Sequence, residues 1–406
     1  MSSAPLQARS WVRGVSLTVF RSFFMTLSTF VTKSAFRNKR RTILTIVSIA
    51  LSFTLLTFMM TIWRAFYIDT GSEQSTQRLI TRHRVSLTFS LPIYYAQKIK
   101  TVPGVKAVVP TQWFGGKYID DKPEHFFAQF ATDPQELFNV YTDFKIPQDQ
   151  LEAWQHDRAG VVVDAGLAKK FGWKIGDRIV LMGTIWPPNL ELTIRGIFNP
   201  PQPTQSVYFD RKYLEEAVPV MKDQSGTFGI LANSPADVPK VATAVDDMFH
   251  NSPQRTKTES EKAFGMDFVA MLGNVKAFIL SICGAVVFAT LLVAANTMAM
   301  SIRERTREVA VLKTLGFTRK TVLALFVGEA VVVAAIAGLI GVGIGSGLMY
   351  MVGHNPQAGF FQGISVNWAT MVFALLLASV VGLLAAMWPS YNASRVDIVE
   401  GLRYIG

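Results

Sequence analysis

Glu329 is the one acidic residue inside a long apolar stretch of the sequence, which makes it the first candidate for chemistry. An ionisable group inside a membrane is a functional hypothesis by default, because a charge at the bilayer centre costs at least about 2.5–3.5 kcal/mol. About seven residues, or about 10 Å of helix rise, separate it from the cytoplasmic end of its predicted helix, so it can reach water or pair with Arg37, Arg40 or Arg41. A structural ion pair is favoured over proton transport, since a proton pathway normally needs a relay of such groups.

A second candidate is the charged segment Ser301–Phe317, which lies between two long apolar stretches. Its apolar residues recur at roughly helical spacing and its charges are mainly basic, so the pattern predicts an amphipathic helix on the cytoplasmic face of a membrane. It is either an ordinary positive loop or a coupling helix gripped by a soluble partner. The residues assigned to the coupling helix are Arg303, Arg305, Arg307, Glu308, Val309, Leu312, Lys313 and Gly316, the last as a C-terminal stop.

Residues that would mark an enzyme are missing from the sequence. No G-x-x-x-x-G-K-[ST] phosphate-binding loop and no G-x-S-x-G nucleophile elbow occur. The histidines are scattered, with no H-E-x-x-H pattern, and Cys283 is the only cysteine. We therefore expect no catalytic, cofactor or metal site in this chain, and any energy-driven work would take its fuel from another chain.

The composition is that of a membrane protein. Half of the 406 residues are apolar, and the net charge is +11. The basic excess lies outside residues 65–270, beside the apolar stretches, which fits orientation in a bilayer and argues against a nucleic-acid partner. Basic residues before the first apolar stretch predict a cytoplasmic N-terminus, and four spans then place the C-terminus there too.

These features predict a polytopic α-helical membrane protein with four transmembrane helices and a large α+β extracytoplasmic domain between helices 1 and 2. The fourth helix is expected to stop at Pro389, because proline removes a helical hydrogen bond. The predicted segments are an interfacial amphipathic helix at 1–42, spans at 43–63, 277–302, 322–353 and 367–389, the outer domain at 64–257, a stalk helix at 258–276, the coupling helix at 301–317, an outer loop at 354–366 and a cytoplasmic tail at 390–406.

Short apolar or alternating runs predict the strands of the outer domain. Val85–Phe89 alternates apolar and polar residues, and Glu124–Ala131 is apolar on both faces. Asp164 follows a run of valines and is placed to cap a helix that ends at Phe171.

The stalk and the third span carry two packing patterns. Thr258 and Glu261 form a capping box, which predicts that a helix begins there and continues into the second span. A heptad-like stripe on this stalk would face a neighbouring helix, although an ordinary amphipathic approach to the bilayer fits equally well. The stripe consists of Phe264, Phe268, Met271 and Val275, and the small-residue ridge that would let another backbone approach the third span consists of Gly338, Gly341 and Gly345.

Several of these stretches resemble one permease family, which includes MacB, LolC, LolE and FtsX. Its R-x-R-E-[VI]-[AG]-[VIL]-[LR]-[KR]-x-[LI]-G pattern is matched by Arg305–Gly316, and its acidic residue early in the third span is matched by Glu329. The family's C-terminal tail resembles Ala393–Leu402. Its periplasmic core resembles Val102–Val105 and Val161–Asp177.

The resemblance implies a permease subunit of an ABC transporter in the bacterial inner membrane, with a periplasmic or extracellular domain. Its implied partners are a second permease copy or paralogue and two separate ATPase subunits that bind ATP and Mg²⁺; a periplasmic adaptor and an outer-membrane channel are further candidates. Ser301–Gly316 would sit on the ATPase, and ATP-driven motion would pass through the stalk to the outer domain for export or extraction of a substrate.

Two features depart from the family: Ile398 replaces a usual proline, and the segment before Lys33 is longer than the short family form. Two other functions stay open. One is an FtsX-like signalling permease that regulates an extracytoplasmic enzyme or senses a ligand without transport. The other is a stand-alone proton-coupled transporter that uses Glu329.

Overall fold

The structure of the chain, a computed structural model, describes residues 38–68, 72, 74–271, 273–355 and 363–395. The predicted N-terminal interfacial helix, the centre of the outer loop and most of the cytoplasmic tail therefore lie outside the described residues. Residues Ala65–Val275 and Val352–Ile364 belong to one compact unit, the outer unit, and the other described residues form the membrane unit.

The elements follow one another along the chain without long gaps. The first half contains α1 (Lys39–Tyr67), β1 (Arg78–His83), β2 (Leu91–Pro92), α2 (Tyr95–Lys100), β3 (Val105–Trp113), β4 (Ala128–Thr132), α3 (Leu137–Val140), α4 (Gln148–Gln155), β5 (Gly160–Asp164), α5 (Ala165–Phe171), β6 (Arg178–Leu181) and β7 (Leu190–Phe198). The second half contains β8 (Ser206–Asp210), α6 (Arg211–Ala217), β9 (Gln224–Ser225), β10 (Thr227–Ala232), α7 (Val238–Met248), β11 (Thr256–Ser260), α8 (Glu261–Met271), α9 (Val275–Glu304), α10 (Thr306–Thr314), α11 (Arg319–His354) and α12 (Trp368–Arg395).

Four of these helices, α1, α9, α11 and α12, are long and apolar enough to cross a membrane. Each is 28–36 residues long, more than the roughly 20 residues that a span requires. The predicted fold class is confirmed, with the α+β unit inserted between the first and second of these helices. Each helix also extends a few residues beyond its predicted apolar core, because charged residues at its ends continue the helical hydrogen bonding.

The prediction that Pro389 stops the fourth helix is wrong, since α12 continues through it to Arg395. Proline removes one hydrogen bond, and it is tolerated in membrane helices where neighbouring helices hold both halves in place. Ala385 and Ala386 before the proline, and Ala393 after it, are all buried against the membrane unit. Packing on both sides therefore outweighs the lost bond.

The outer unit is built on a nine-stranded sheet with the order β11-β1-β10-β3-β4-β8-β5-β7-β6. Only the β4–β8 and β5–β7 pairs are parallel, and the other pairs are antiparallel. The strand that follows the first span and the strand that precedes the second, β1 and β11, are neighbours at one edge, with Thr81 opposite Thr258. The first and last strands of the sheet in chain order therefore lie side by side at one edge.

Three apolar clusters hold helices on this sheet. One surrounds Phe209 and Leu192 near the β6 edge, and one surrounds Val108 and Phe228 beneath α2 and α7. The third packs Trp154 of α4 against the sheet. Asp164 caps α5 as predicted, because its carboxylate accepts a hydrogen bond from the Gly166 amide at 2.7 Å.

Two predicted strands of the outer unit are wrong or displaced. Residues 84–90 form turns, with Val85 and Phe89 exposed, and the strand lies just before them at β1. The alternating apolar and polar residues of this segment do not form a strand, because no strand among the described residues pairs with them. Residues Pro123–His125 form a 3₁₀ turn, so that β4 begins only at Ala128. An apolar run alone does not fix where a strand begins.

The predicted continuous stalk helix from residue 258 into the second span is also wrong. Thr258 lies in β11, where its hydroxyl meets that of Thr81 at 2.9 Å, and Ser260 accepts from the Ala263 amide at the start of α8. A break follows before α9, and within it Gly273 has a φ of +89°. A backbone in this region strongly favours glycine, so the chain turns there instead of continuing as one rod.

Candidate coupling site

The charged segment between the second and third spans folds as a short helix, α10, within a tight elbow. Arg305 alone separates the end of α9 from the start of α10. At the other end Gly316 has a φ of +91°, and the Phe317 amide donates to the Leu312 carbonyl at 3.1 Å. The glycine thus ends the helix in the left-handed conformation that side chains with a Cβ disfavour. Thr318 then caps α11 through the Thr321 amide.

One face of α10 is buried against the membrane unit itself. Val309 and Ala310 are almost fully buried. Val309 lies in an apolar cluster with Ile302 of α9 and Val322 of α11, to which Phe326 and Ala393 also belong. Val309 was assigned to the surface that a partner would grip, but its side chain packs inside its own chain. It fixes the position of the helix, and it is not available for docking.

The opposite face of α10 is exposed and partly apolar. Arg307, Val311 and Leu315 recur at every fourth position, and all three are exposed. The exposed fraction is 44% for Val311 and 71% for Leu315. This candidate docking face, Arg307–Val311–Leu315, presents two apolar side chains beside one guanidinium, and Arg is enriched at protein interfaces.

The remaining residues assigned to the coupling helix fall on other sides. Leu312 and Lys313 are half-buried at the edge of the docking face. Glu308 is exposed beside Arg307, and Arg303 is exposed on the last turn of α9. The predicted coupling helix at 301–317 is too long, because residues 301–304 continue α9 and the separate helix is only Thr306–Thr314. The periodicity also did not show which side of that helix faces the rest of the chain.

The acidic residue of the third span forms a buried ion pair at this elbow. A guanidinium nitrogen of Arg305 donates to a Glu329 carboxylate oxygen at 2.7 Å. Only 8% of Arg305 and 7% of Glu329 are exposed. The pair joins the α9–α10 junction to α11, and it agrees with the structural ion pair favoured from the sequence.

The partner of Glu329 among the described residues, Arg305, differs from the arginines predicted from the sequence. Arg305 had been assigned to the exposed coupling surface. Arg37 lies outside the described residues, and Arg41 contacts the end of α9, donating to Glu304 at 2.6 Å and to the Ser301 hydroxyl at 2.9 Å. No sequence spacing predicts the Arg305–Glu329 pair, because Arg305 lies at the α9–α10 junction and Glu329 lies on α11, so that the tertiary fold, not the repeat of a single helix, brings them together.

The ridge of small residues in α11 lies where two neighbouring helices come close. A Cβ added to Gly341 would lie 2.5 Å from the Ala50 carbonyl oxygen of α1, and one added to Gly345 would lie 3.0 Å from Thr57. Gly338 faces the other way, toward Ala378 of α12. The ridge therefore serves contacts within the membrane unit, where small residues let backbones approach closely.

The stalk stripe is divided by the break between α8 and α9. Phe264 and Phe268 lie on α8 and contact each other edge to face, with ring centroids 5.1 Å apart. The side chain of Met271 lies outside the described residues, and Val275 is the first residue of α9. The stripe is thus not one face of a single helix.

The described residues of the elbow position a short helix between two spans. Among the described residues, no cluster of three or more His, Cys, Asp or Glu side chains could hold a metal ion. Two ion pairs tie the elbow to neighbouring spans: Arg41–Glu304 holds α1 to the end of α9, and Arg305–Glu329 holds the junction to α11.

Two family models match the chain in agreement with this architecture. The FtsX-like permease C-terminal model matches residues 280–398, which include the elbow and the last three spans. The MacB-like periplasmic core domain model matches residues 42–248, about half of the chain. The chain belongs to the MacB/FtsX-like family of ABC transporter permeases. The resemblance given by the Arg305–Gly316 motif is thereby confirmed.

Two individual relatives share between a quarter and a third of the aligned residues with this chain. The permease is 29% identical to the ABC transporter permease YknZ of Bacillus subtilis over 258 residues, or 61% of this chain and 62% of YknZ. It is 26% identical to the macrolide export ATP-binding/permease protein MacB of Bdellovibrio bacteriovorus, over 42% of this chain and 27% of that protein. The matched region thus spans about three fifths of YknZ and about a quarter of that MacB.

Solved structures similar to the permease are outer domains. The periplasmic region of MacB from Actinobacillus actinomycetemcomitans matches with a TM-score of 0.35 and 13% identity, covering 50% of this chain and 95% of that one. The extracellular domain of YknZ matches with a TM-score of 0.32 and 14% identity, covering 45% of this chain and 99% of that one.

Proposed function

We propose that the chain is the permease subunit of an ABC transporter and that it transmits motion from a separate cytoplasmic ATPase to its outer unit. Family membership implies an ATPase partner, because ABC transporters are driven by ATP. In this proposal the ATPase binds the ATP and Mg²⁺, and the permease contributes no catalytic residue. Both termini are cytoplasmic, and the outer unit lies on the far side of the bacterial inner membrane.

The observation that carries the proposal is the division of α10 into two faces. Its inner face is fixed by Val309 in the apolar cluster, and its outer face exposes Arg307, Val311 and Leu315. An exposed Leu and Val beside an Arg form a small surface that a complementary groove on a soluble partner would bury. Docking of this kind concentrates the binding energy in a few anchoring side chains.

The ion pairs behind the docking face explain how movement would enter the membrane. A buried ion pair fixes the relative position of the elements it joins, because separating the charges leaves each of them without a partner in an apolar surrounding. Arg305–Glu329 ties the elbow to α11 in this way. When the ATPase shifts α10, we expect α9 and α11 to move with it instead of sliding past.

The proposed second permease subunit would pack on α9. This is the least covered of the four candidate spans, with 22% of its most apolar window buried, against 33–39% for the others. Ser281, Gly284 and Ala285 are exposed on it, and a Cβ added to Gly284 would meet nothing within 4 Å. Small residues on a helix face that no described residue covers suit close packing of two helices within a bilayer.

The proposal is tested by the affinity of the permease for the ABC ATPase that co-purifies with it. We expect Arg307→Glu and Leu315→Ser each to weaken ATPase binding at least about tenfold, which corresponds to about 1.4 kcal/mol. Arg40→Glu is the matched control, because it makes the same charge change on an exposed residue of α1 and should alter the affinity less than about twofold. Undiminished binding by the double variant Arg307→Glu/Leu315→Ser would contradict the proposed docking face.

A further inference from the structure

The helix of the outer unit that precedes α9 in the chain, α8, is fastened to the sheet by charged side chains. It follows β11 directly and lies beside β1, the strand that begins after the first span. Arg78 and Arg82 of β1 are four residues apart, so both side chains leave the same face of the strand, about 13 Å apart. Each of them holds a carboxylate of α8.

Arg78 forms the buried half of this contact. Its Nε donates to the Glu261 carboxylate at 2.6 Å, and a terminal nitrogen donates to Asp143 at 2.6 Å. Its guanidinium also lies over the Tyr141 ring, 4.9 Å from the centroid, and only 5% of the residue is exposed. Asp143 in turn accepts from the Ser72 hydroxyl. Two carboxylates and a ring surround one guanidinium, which therefore cannot change partners without losing several contacts.

Arg82 forms the second, more accessible half. Its Nε donates to Glu259 of β11 at 3.1 Å, and its Nη2 donates to Asp267 of α8 at 2.9 Å. Lys257 contacts the same two carboxylates at 2.7 and 2.8 Å. The hydrogen bond from Lys257 is the main cause that lowers the pKa of Asp267; burial opposes it, and the hydrogen bond from Arg82 adds to the lowering, so that Asp267 stays ionised at neutral pH.

Contacts at two points fix the direction of a helix as well as its position. Glu261 and Asp267 are six residues apart, or about 9 Å of helix rise. One ion pair would let α8 pivot about that point, whereas two on a rigid strand do not. The chain beyond α8 breaks at Gly273, whose φ of +89° places a joint just outside the fastened segment.

We propose that Arg78 and Arg82 are the positioning residues that make α8 and the outer sheet one rigid body, so that movement arriving from α9 turns the whole outer unit and does not bend α8 away from it. This inference rests on the proposed function for its purpose, but the rigid attachment itself can be tested without an ATPase. Both arginines act through α8 and need no contact with substrate.

The attachment is tested by pulsed EPR on the full-length protein in nanodiscs, with spin labels at Lys106 of β3 and Ala270 of α8 in a Cys283→Ser background. Both labelled positions are exposed. We expect one narrow distance distribution in the parent protein. Arg82→Gln should broaden it at least about twofold, while hydrogen exchange in β10 stays unchanged. Arg195→Gln, which removes a 2.6 Å ion pair to Asp157 elsewhere in the unit, should leave it narrow.

The charge-swapped variant Arg82→Glu/Asp267→Arg provides a second measurement that a general loss of folding cannot imitate. We expect it to restore most of the narrow distribution, because an ion pair forms again between the same two elements. A narrow distribution in Arg82→Gln and Arg78→Gln would overturn the inference, as would a swapped variant as broad as Arg82→Gln. Either result would be obtained without nucleotide or ATPase, so it is separate from a failure of the docking face.

Discussion

Replacing Glu329 with glutamine tests whether the buried ion pair holds the elbow to the third span. The variant keeps the size of the side chain and one hydrogen-bond acceptor, but it leaves the Arg305 guanidinium without its carboxylate. Arg305→Gln makes the reciprocal change. The third variant, Arg305→Met/Glu329→Leu, removes both charges from a site where each residue is less than a tenth exposed.

The size of the effect follows from the geometry of the pair. The nitrogen and oxygen are 2.7 Å apart, and two unit charges about 4 Å apart attract by about 4 kcal/mol at an effective dielectric constant near 20. Removing one partner of a buried pair typically costs about 3–5 kcal/mol, whereas replacing both by apolar residues is often neutral. We therefore expect each single variant to lower the free energy of unfolding by about 3 kcal/mol, and the double apolar variant by less than about 1 kcal/mol.

The assay is equilibrium unfolding in mixed micelles, followed as a double-mutant cycle. The Arg41–Glu304 pair is the matched control, because it joins neighbouring elements but its carboxylate side chain is 53% exposed. An exposed pair is worth about 1 kcal/mol or less, so its cycle should show little coupling. Stimulation of the ATPase by the same permease variants should fall with the Arg305–Glu329 singles and recover in the double variant.

Additive losses would refute this reasoning. If the double apolar variant loses the sum of the two single losses to within about 0.5 kcal/mol, then Arg305 and Glu329 stabilise the protein independently and do not join the elbow to α11. If Glu329→Gln instead keeps full stability and abolishes only a pH-dependent transport activity, the residue acts in proton movement.

Two further predictions concern packing between helices. Gly341→Ala should destabilise the membrane unit by about 1–3 kcal/mol, because the added Cβ would lie 2.5 Å from the Ala50 carbonyl oxygen. Gly343→Ala is the control, since its Cβ would meet nothing within 4 Å and should change the thermal midpoint little. Equal midpoints for the two variants would contradict the close approach of α11 and α1. Ala285→Cys in a cysteine-free background should cross-link two permease subunits under mild oxidation. Leu280→Cys, also exposed on α9 but about 140° around the helix from Ala285, should do so less. Absence of any dimer in native membranes would argue against α9 as the interface.

Much of the fold could be predicted from the sequence because membrane spans follow from length and apolarity alone. The C-terminal end of α10 was predictable too, since Gly316 acts through local backbone chemistry. Asp164 capped its helix for the same reason. Structural features that depend only on residues close together in the chain could therefore be predicted from the sequence.

Features that depend on distant partners could not be read in this way. Val309 and Leu315 are similar apolar residues of one helix, and only the fold shows that the first is buried and the second exposed. The Arg305–Glu329 pair is closed by tertiary structure, and Pro389 is tolerated because neighbouring helices support α12. Thr258 has a capping pattern, yet pairing with β1 draws it into a strand.

Transmission from the ATPase to the outer unit is tested most directly by labelling Lys106 in the two permease subunits of the assembled transporter and measuring the distance between the labels. We expect the distance to change by several ångströms between the nucleotide-free and ATP-bound states, and to stay constant in Arg307→Glu. Continued ATP turnover in the parent complex with no change in that distance would contradict the account.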